Sequence, residues 1–241
     1  MFPLSTALRY IAVLVPVVMY FFQTDYLGTQ SQYAVMLVGI SCAAGLQDAL
    51  TGFSSRLQFA QERGTLETYL VEPVSWRLIP IAMNVWRSIT GMFMSVLMLG
   101  VGCLLGADIN ISRLPLFILI LTLGMVACNA VGVFVASFLV LFKRGEPVIA
   151  MYGLAAAFLG GSLFAITVLP GWIRWASYLV PHAYVISAAR SVLVSSAPPG
   201  GIGPVAACAA LVVFSVVAFT LGLKLFHMTL QFARRSGVLS T

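Results

Sequence analysis

Six apolar stretches leave this chain few ways to fold. They run over about 7–23, 33–53, 79–106, 115–142, 147–168 and 204–227. A helix of about 20 apolar residues crosses the hydrocarbon of a bilayer, so each stretch reads as a membrane span. Charge is correspondingly scarce. Only 8% of the 241 residues are Asp, Glu, Lys or Arg and 61% are hydrophobic, against about 25% charged in an ordinary soluble domain. That excludes a soluble globular protein, a disordered chain and a coiled coil. What is left between the spans amounts to short loops and one or two interfacial helices, too little for a separate soluble catalytic domain. The chain therefore reads as an all-α membrane protein, a single domain over 1–241 with six transmembrane helices.

The first stretch is the shortest and contains Pro16. With Arg9 ahead of it, it could pass for a signal peptide, but Phe21, Phe22 and Gln23 stand where small cleavage-site residues belong. It reads as a retained helix. With the N-terminus placed in the cytoplasm, the inner segments hold Arg9, Arg56, Arg63, Arg77, Lys143, Arg144, Lys224, Arg234 and Arg235. The outer ones hold only Arg113, Arg174 and Arg190. Nine basic residues against three satisfy the positive-inside rule, with both termini cytoplasmic in a cell inner or plasma membrane. The net charge of +6 is thus read as topology and not as nucleic-acid binding. Cys42, Cys103, Cys128 and Cys208 all lie in apolar runs without metal-ligand spacing, so they read as packing residues, and no metal is expected.

Residues 169–195 could be mistaken for a seventh span. Pro170, Arg174, Pro181, His182 and Arg190 break the stretch into apolar pieces of about ten residues, which suits short re-entrant helices broken near Pro181. Trp172, Trp175, Tyr178 and Tyr184 favour the headgroup level. A seventh span would also move Lys224, Arg234 and Arg235 outside. The loop over 54–78 is the most charged part of the chain. Leu57, Phe59, Ala60, Leu66, Tyr69 and Leu70 recur there at roughly helical spacing, which predicts an amphipathic helix over about 55–71, interrupted near Gly64 and stopped before Pro73. A lipid-binding helix is usually rich in Lys and Arg. Arg56, Glu62, Arg63, Glu67, Glu72 and Arg77 mix both signs, which suits a protein partner better, although a helix resting on lipid is the simpler alternative.

Inside the spans, Gly124, Cys128, Gly132 and Ala136 form a stripe of small residues that lets another helix approach closely, and Gly160-Gly161 allows a bend. Asp48 and Arg87 are the ionisable residues at depth. Such charges are costly unless paired or wet. Either the two pair or face a shared polar cavity, or each reaches the inner interface alone. No catalytic constellation is visible: His182 and His227 fall at opposite ends of the layout, the acids are scattered, and no P-loop is present. No cofactor is expected in this chain. A secondary transporter would usually show repeated halves, and none stands out.

Two segments carry a family resemblance. Glu62-Arg63-Gly64-Thr65-Leu66-Glu67, followed by Glu72-Pro73-Val74-Ser75, resembles the signature between spans two and three of ABC-2 type ABC exporter permeases. Leu169-Pro170, Tyr178 to Tyr184 and Arg190 resemble the segment before the last span of the same family. The resemblance covers essentially the whole chain, although the residues ahead of the first span are fewer than the family's usual interface helix needs. It implies a permease subunit without its own ATPase, driven by a P-loop ATP-binding subunit that binds ATP and Mg. Glu62, Arg63, Gly64, Thr65, Leu66 and Glu67 would be the coupling helix that seats in a groove of that ATPase. Pro170, Tyr178, Pro181, His182 and Arg190 would belong to the outer re-entrant gate. A second permease, identical or related, would complete the path, lined by spans two and five; Met151 and Phe158 are assigned to it by position only. The implied function is export of an amphipathic drug-like or lipid substrate. The alternatives are export of a polysaccharide or lipid-linked glycan, secondary transport, or a membrane scaffold without transport.

Overall fold

The computed structural model describes residues 2–62, 78–142, 146–195 and 200–235. All regular elements among them are helical. In chain order they are α1 (Phe2–Tyr26), α2 (Gln30–Glu62), α3 (Leu78–Leu104), a 3-10 turn at Ile111–Arg113, α4 (Leu114–Phe142), α5 (Glu146–Leu159), a 3-10 turn at Ile166–Val168, α6 (Gly171–Ser177), α7 (Pro181–Leu193) and α8 (Pro204–Arg235). α2, α3, α4 and α8 each carry a stretch long and apolar enough to cross a membrane. α1 and α5 carry shorter apolar stretches, Ile11–Tyr26 and Ala150–Leu159.

α2 is the central helix. Leu37, Val38, Cys42, Leu46, Ala49, Leu50 and Phe53 are buried along it at intervals of three to four residues, one face of a helix turned into the bundle. It packs against α1, α3, α4 and α7, while α4 also packs along α8. Between α2 and α3 the contact follows an antiparallel register of small and polar side chains. Ser95 Oγ donates to the Ser41 carbonyl at 2.8 Å. Gly45 and Gly91 come next, each facing the other's backbone oxygen. Below them stand Asp48 opposite Arg87 and Gly52 opposite Asn84. In lipid no hydrophobic force draws two helices together, so close backbone approach and interhelical hydrogen bonds hold such a seam.

The small-residue stripe of α4 lies inward. Gly124 faces Leu46 of α2 and Val185 of α7, and Gly132 faces the backbone oxygen of Leu50. Cys128 and Ala136 are buried beside them.

Two expected boundaries are corrected. The helix expected to start afresh near 55 does not: α2 continues through Glu62, because nothing from Phe53 to Glu62 breaks a helix. The rest of that expected helix, beyond Glu62, lies outside the described residues. The fifth apolar stretch, expected to be helical to 168, stops at Leu159. Gly161 takes φ +70°. The Ser162 amide reaches the Ala157 carbonyl and the Gly161 amide that of Phe158. These are the two bonds of a glycine-terminated helix end, which L side chains disfavour at that φ.

Candidate functional site

The segment expected to be re-entrant, 169–195, builds one end of the bundle. The two short helices separate at Tyr178–Val180, and Pro181 opens α7 at its first turn, where a missing amide hydrogen costs nothing. The helices differ in character. α6 is largely exposed, with Trp172 and Trp175 outward. α7 is buried almost all round and packs on α2, α4 and α8. Of the residues assigned to this region, Pro170 caps α6 and Tyr178 follows it, both exposed, whereas Pro181, His182 and Arg190 are buried inside the bundle.

Arg190 is 4% exposed and has three backbone acceptors. Nε donates to the Val35 carbonyl on α2 at 2.9 Å. Nη1 donates to Phe164 at 3.1 Å and Nη2 to Ser162 at 3.0 Å, both in the turn after α5. Gly39 leaves the space: a Cβ there would meet Nη2 and the Ser162 oxygen. Burial lowers the Arg190 pKa to about 10, so the guanidinium stays charged at neutral pH. His182 Nδ1 lies 3.8 Å from Cys128 Sγ, and its Nε2 is buried without a partner. Burial pushes its pKa down to about 4, which keeps the ring neutral.

A cavity of about 460 Å³ opens beside α7, lined by Arg113, Arg174 and Arg190 among others. A second, of about 700 Å³, lies between α3, α4 and α8. Its walls are apolar, including Ile89, Val126 and Phe219, while Asn84, Ser88 and Asn129 contribute a polar strip. Asn84 Nδ2 donates to the Ala49 carbonyl at 2.8 Å and to Asn129 Oδ1. Asn129 Nδ2 donates to Ser88 Oγ at 3.1 Å. Sequence reasoning missed this strip. The sequence signal for it is three polar side chains, Asn84, Ser88 and Asn129, inside otherwise apolar helices.

The structure brings Asp48 and Arg87 together, with Arg87 Nη2 3.8 Å from Asp48 Oδ1. Glu62 ends α2, and Arg63, Gly64, Thr65, Leu66 and Glu67 lie outside the described residues. Met151 and Phe158, assigned to the substrate path, share an exposed face of α5 with Leu154. They do not line the cavity between α3, α4 and α8.

The ABC-2 type transporter family model matches residues 2–194, from the start of α1 through α7. The chain belongs to the ABC-2 type transporter family. It is accordingly a multi-pass membrane transporter component, a permease domain of the kind that works with an ABC ATPase. No curated protein matches the chain. Within the matched span lie both of the segments that resemble the family and the whole buried α7.

Proposed function

We propose that this ABC-2 permease is the membrane half of an ATP-driven exporter. A separate ATP-binding subunit hydrolyses ATP with Mg, and the permease carries an amphipathic drug-like or lipid substrate outward. The family match carries the reading. α1 and α5 join the four longer apolar helices to make six spans, with both termini in the cytoplasm. In that layout the chain after Glu62, at the end of α2, faces the ATPase. Glu62 to Glu67 form its docking element, and their mixed charges set the register against a charged groove. The exposed apolar face of α5, with Met151, Leu154 and Phe158, is where a second permease closes the path. An amphipathic substrate suits a cavity with apolar walls and a strip of amide and hydroxyl groups.

Co-purification from gently solubilised membranes tests this. A P-loop ATPase should remain bound in stoichiometric amount. Glu67→Lys should lower its retention or its coupled turnover by about tenfold or more, because a reversed charge at an interface costs several kcal/mol. If no ATPase is retained, or if transport is normal with the reversed charge, the coupling role fails.

A further inference from the structure

Nine of the basic residues follow the positive-inside pattern and three oppose it: Arg113, Arg174 and Arg190. The fold gathers those three, from three separate elements, around a single cavity. We propose that this cavity is an anion site that takes a phosphate-type group, carried by a lipid headgroup or free in solution. It lies at the end of the bundle opposite Glu62, the outer end in the six-span reading. That assignment of side rests on the proposed topology; the anion chemistry does not.

The local chemistry is one-sided. Among the described residues no carboxylate lines the cavity. Asp25 and Asp108, the acids described at this end of the bundle, are not among its lining residues. Arg174 gives Nη2 to the carbonyls of Thr167 at 2.7 Å and Leu169 at 3.1 Å. Its Nε is buried and has no partner. Arg113 is exposed, and among the described residues no carboxylate stands within ion-pair distance of it. Arg190 is satisfied by three neutral carbonyls, which orient the guanidinium without cancelling its charge. Ser187 accepts the Ile202 amide at 2.7 Å and keeps its own hydroxyl hydrogen to give. Three permanent cations beside one cavity repel one another, and an anion relieves that repulsion. Arginine forks match phosphate oxygens in number and direction. The volume of about 460 Å³ falls within the range of small-molecule sites. Carbonyls alone explain why Arg190 is buried, but they do not explain the convergence of Arg113 and Arg174 on the same space.

The test uses the full chain in lipid nanodiscs. In one arm, native mass spectrometry compares retained phosphatidylglycerol with phosphatidylcholine. In the other, inorganic phosphate is titrated in phosphatidylcholine discs while tryptophan emission is followed, since Trp172 and Trp175 flank Arg174 in α6. Expected is preferential retention of about one phosphatidylglycerol, or saturable binding of phosphate. Arg113→Gln should weaken whichever is seen about tenfold, and Arg113→Lys should restore it to within about twofold, because Arg113 contributes charge and little packing. Lys224→Gln, at an exposed position of α8 away from the cavity, should change nothing. Lipid preference without a phosphate response assigns the site to headgroups, and the reverse assigns it to a soluble anion. No preference in either arm, or equal losses from Arg113→Gln and Lys224→Gln, overturns the proposal. Neither arm involves ATP or transport, so failure here leaves the exporter reading standing, and the reverse also holds.

Discussion

Arg87 on α3 holds its guanidinium 3.8 Å from the Asp48 carboxylate on α2, one step along a seam in which Gly45 and Gly91 bring the two backbones together. The pair is partly accessible, with side chains 25% and 17% exposed, so its strength lies between a surface ion pair and a buried one. Removing one partner takes this pairing away from a charge that stays at depth. Asp48→Asn or Arg87→Gln alone should lower stability by about 1–3 kcal/mol, and the double variant should recover part of that. Equilibrium unfolding in mixed micelles gives the cycle. Additive losses would show that the pairing carries no coupling energy.

Glycines on α3 and α4 should respond very differently to alanine. At Gly132 a Cβ would run into the Leu50 carbonyl, a backbone atom that cannot swing away, while at Gly100 it would meet nothing within 4 Å. Gly132→Ala should lower stability by about 1–3 kcal/mol through overpacking. Gly100→Ala should raise it by up to about 1 kcal/mol, the helix propensity difference. Thermal unfolding of the two variants side by side checks the sign of each.

Much of the architecture is legible in hydropathy, because membrane helices must satisfy their own backbone and so announce themselves as runs. The break ahead of Pro181 and the inward face of the Gly124–Ala136 stripe follow from residue chemistry alone. The end of α5 does not, since Ser162 to Val168 is as apolar as many helices and only the φ of Gly161 stops it. The depth of Arg190 was illegible for another reason. A charged residue in a short re-entrant helix reads as interfacial, and its neutral acceptors, the carbonyls of Val35, Ser162 and Phe164, leave no trace in side-chain identity. The gathering of Arg113, Arg174 and Arg190 depends on tertiary contacts that no single stretch encodes.

His182 makes stability depend on pH. Its ring is buried neutral with a pKa near 4, against about 6.5 when unfolded. Between those values the unfolded chain binds the extra proton, so stability falls as pH falls through that window and is fully present above it. At pH 5 the loss should be about 2 kcal/mol relative to pH 8. His182→Asn should flatten this part of the profile, while other groups that titrate in the window remain common to both proteins. Melting temperatures of the two from pH 8 to pH 5 read the difference, and parallel curves would show that His182 does not titrate on unfolding.

Arg190 ties α7 to α2 and to the turn after α5, and Gly39 keeps the space it needs. The fork geometry matters as well as the charge. Arg190→Lys keeps the charge but cannot reach three divergent carbonyls from one ammonium, so buried acceptors lose their donors at about 1–3 kcal/mol each. Gly39→Ala leaves every polar group in place and instead pushes a methyl into the guanidinium and the Ser162 oxygen. Both variants should destabilise the same end of the bundle, and their combination should cost less than the sum, because each displaces the same guanidinium. Limited proteolysis across the 160–170 turn and thermal unfolding measure this. A strictly additive double variant would mean that Gly39 packs against something other than the Arg190 clamp. If the ATPase docks at Glu62 to Glu67 as proposed, its binding should be unchanged in all three, since the clamp lies at the far end of α2 from Glu62.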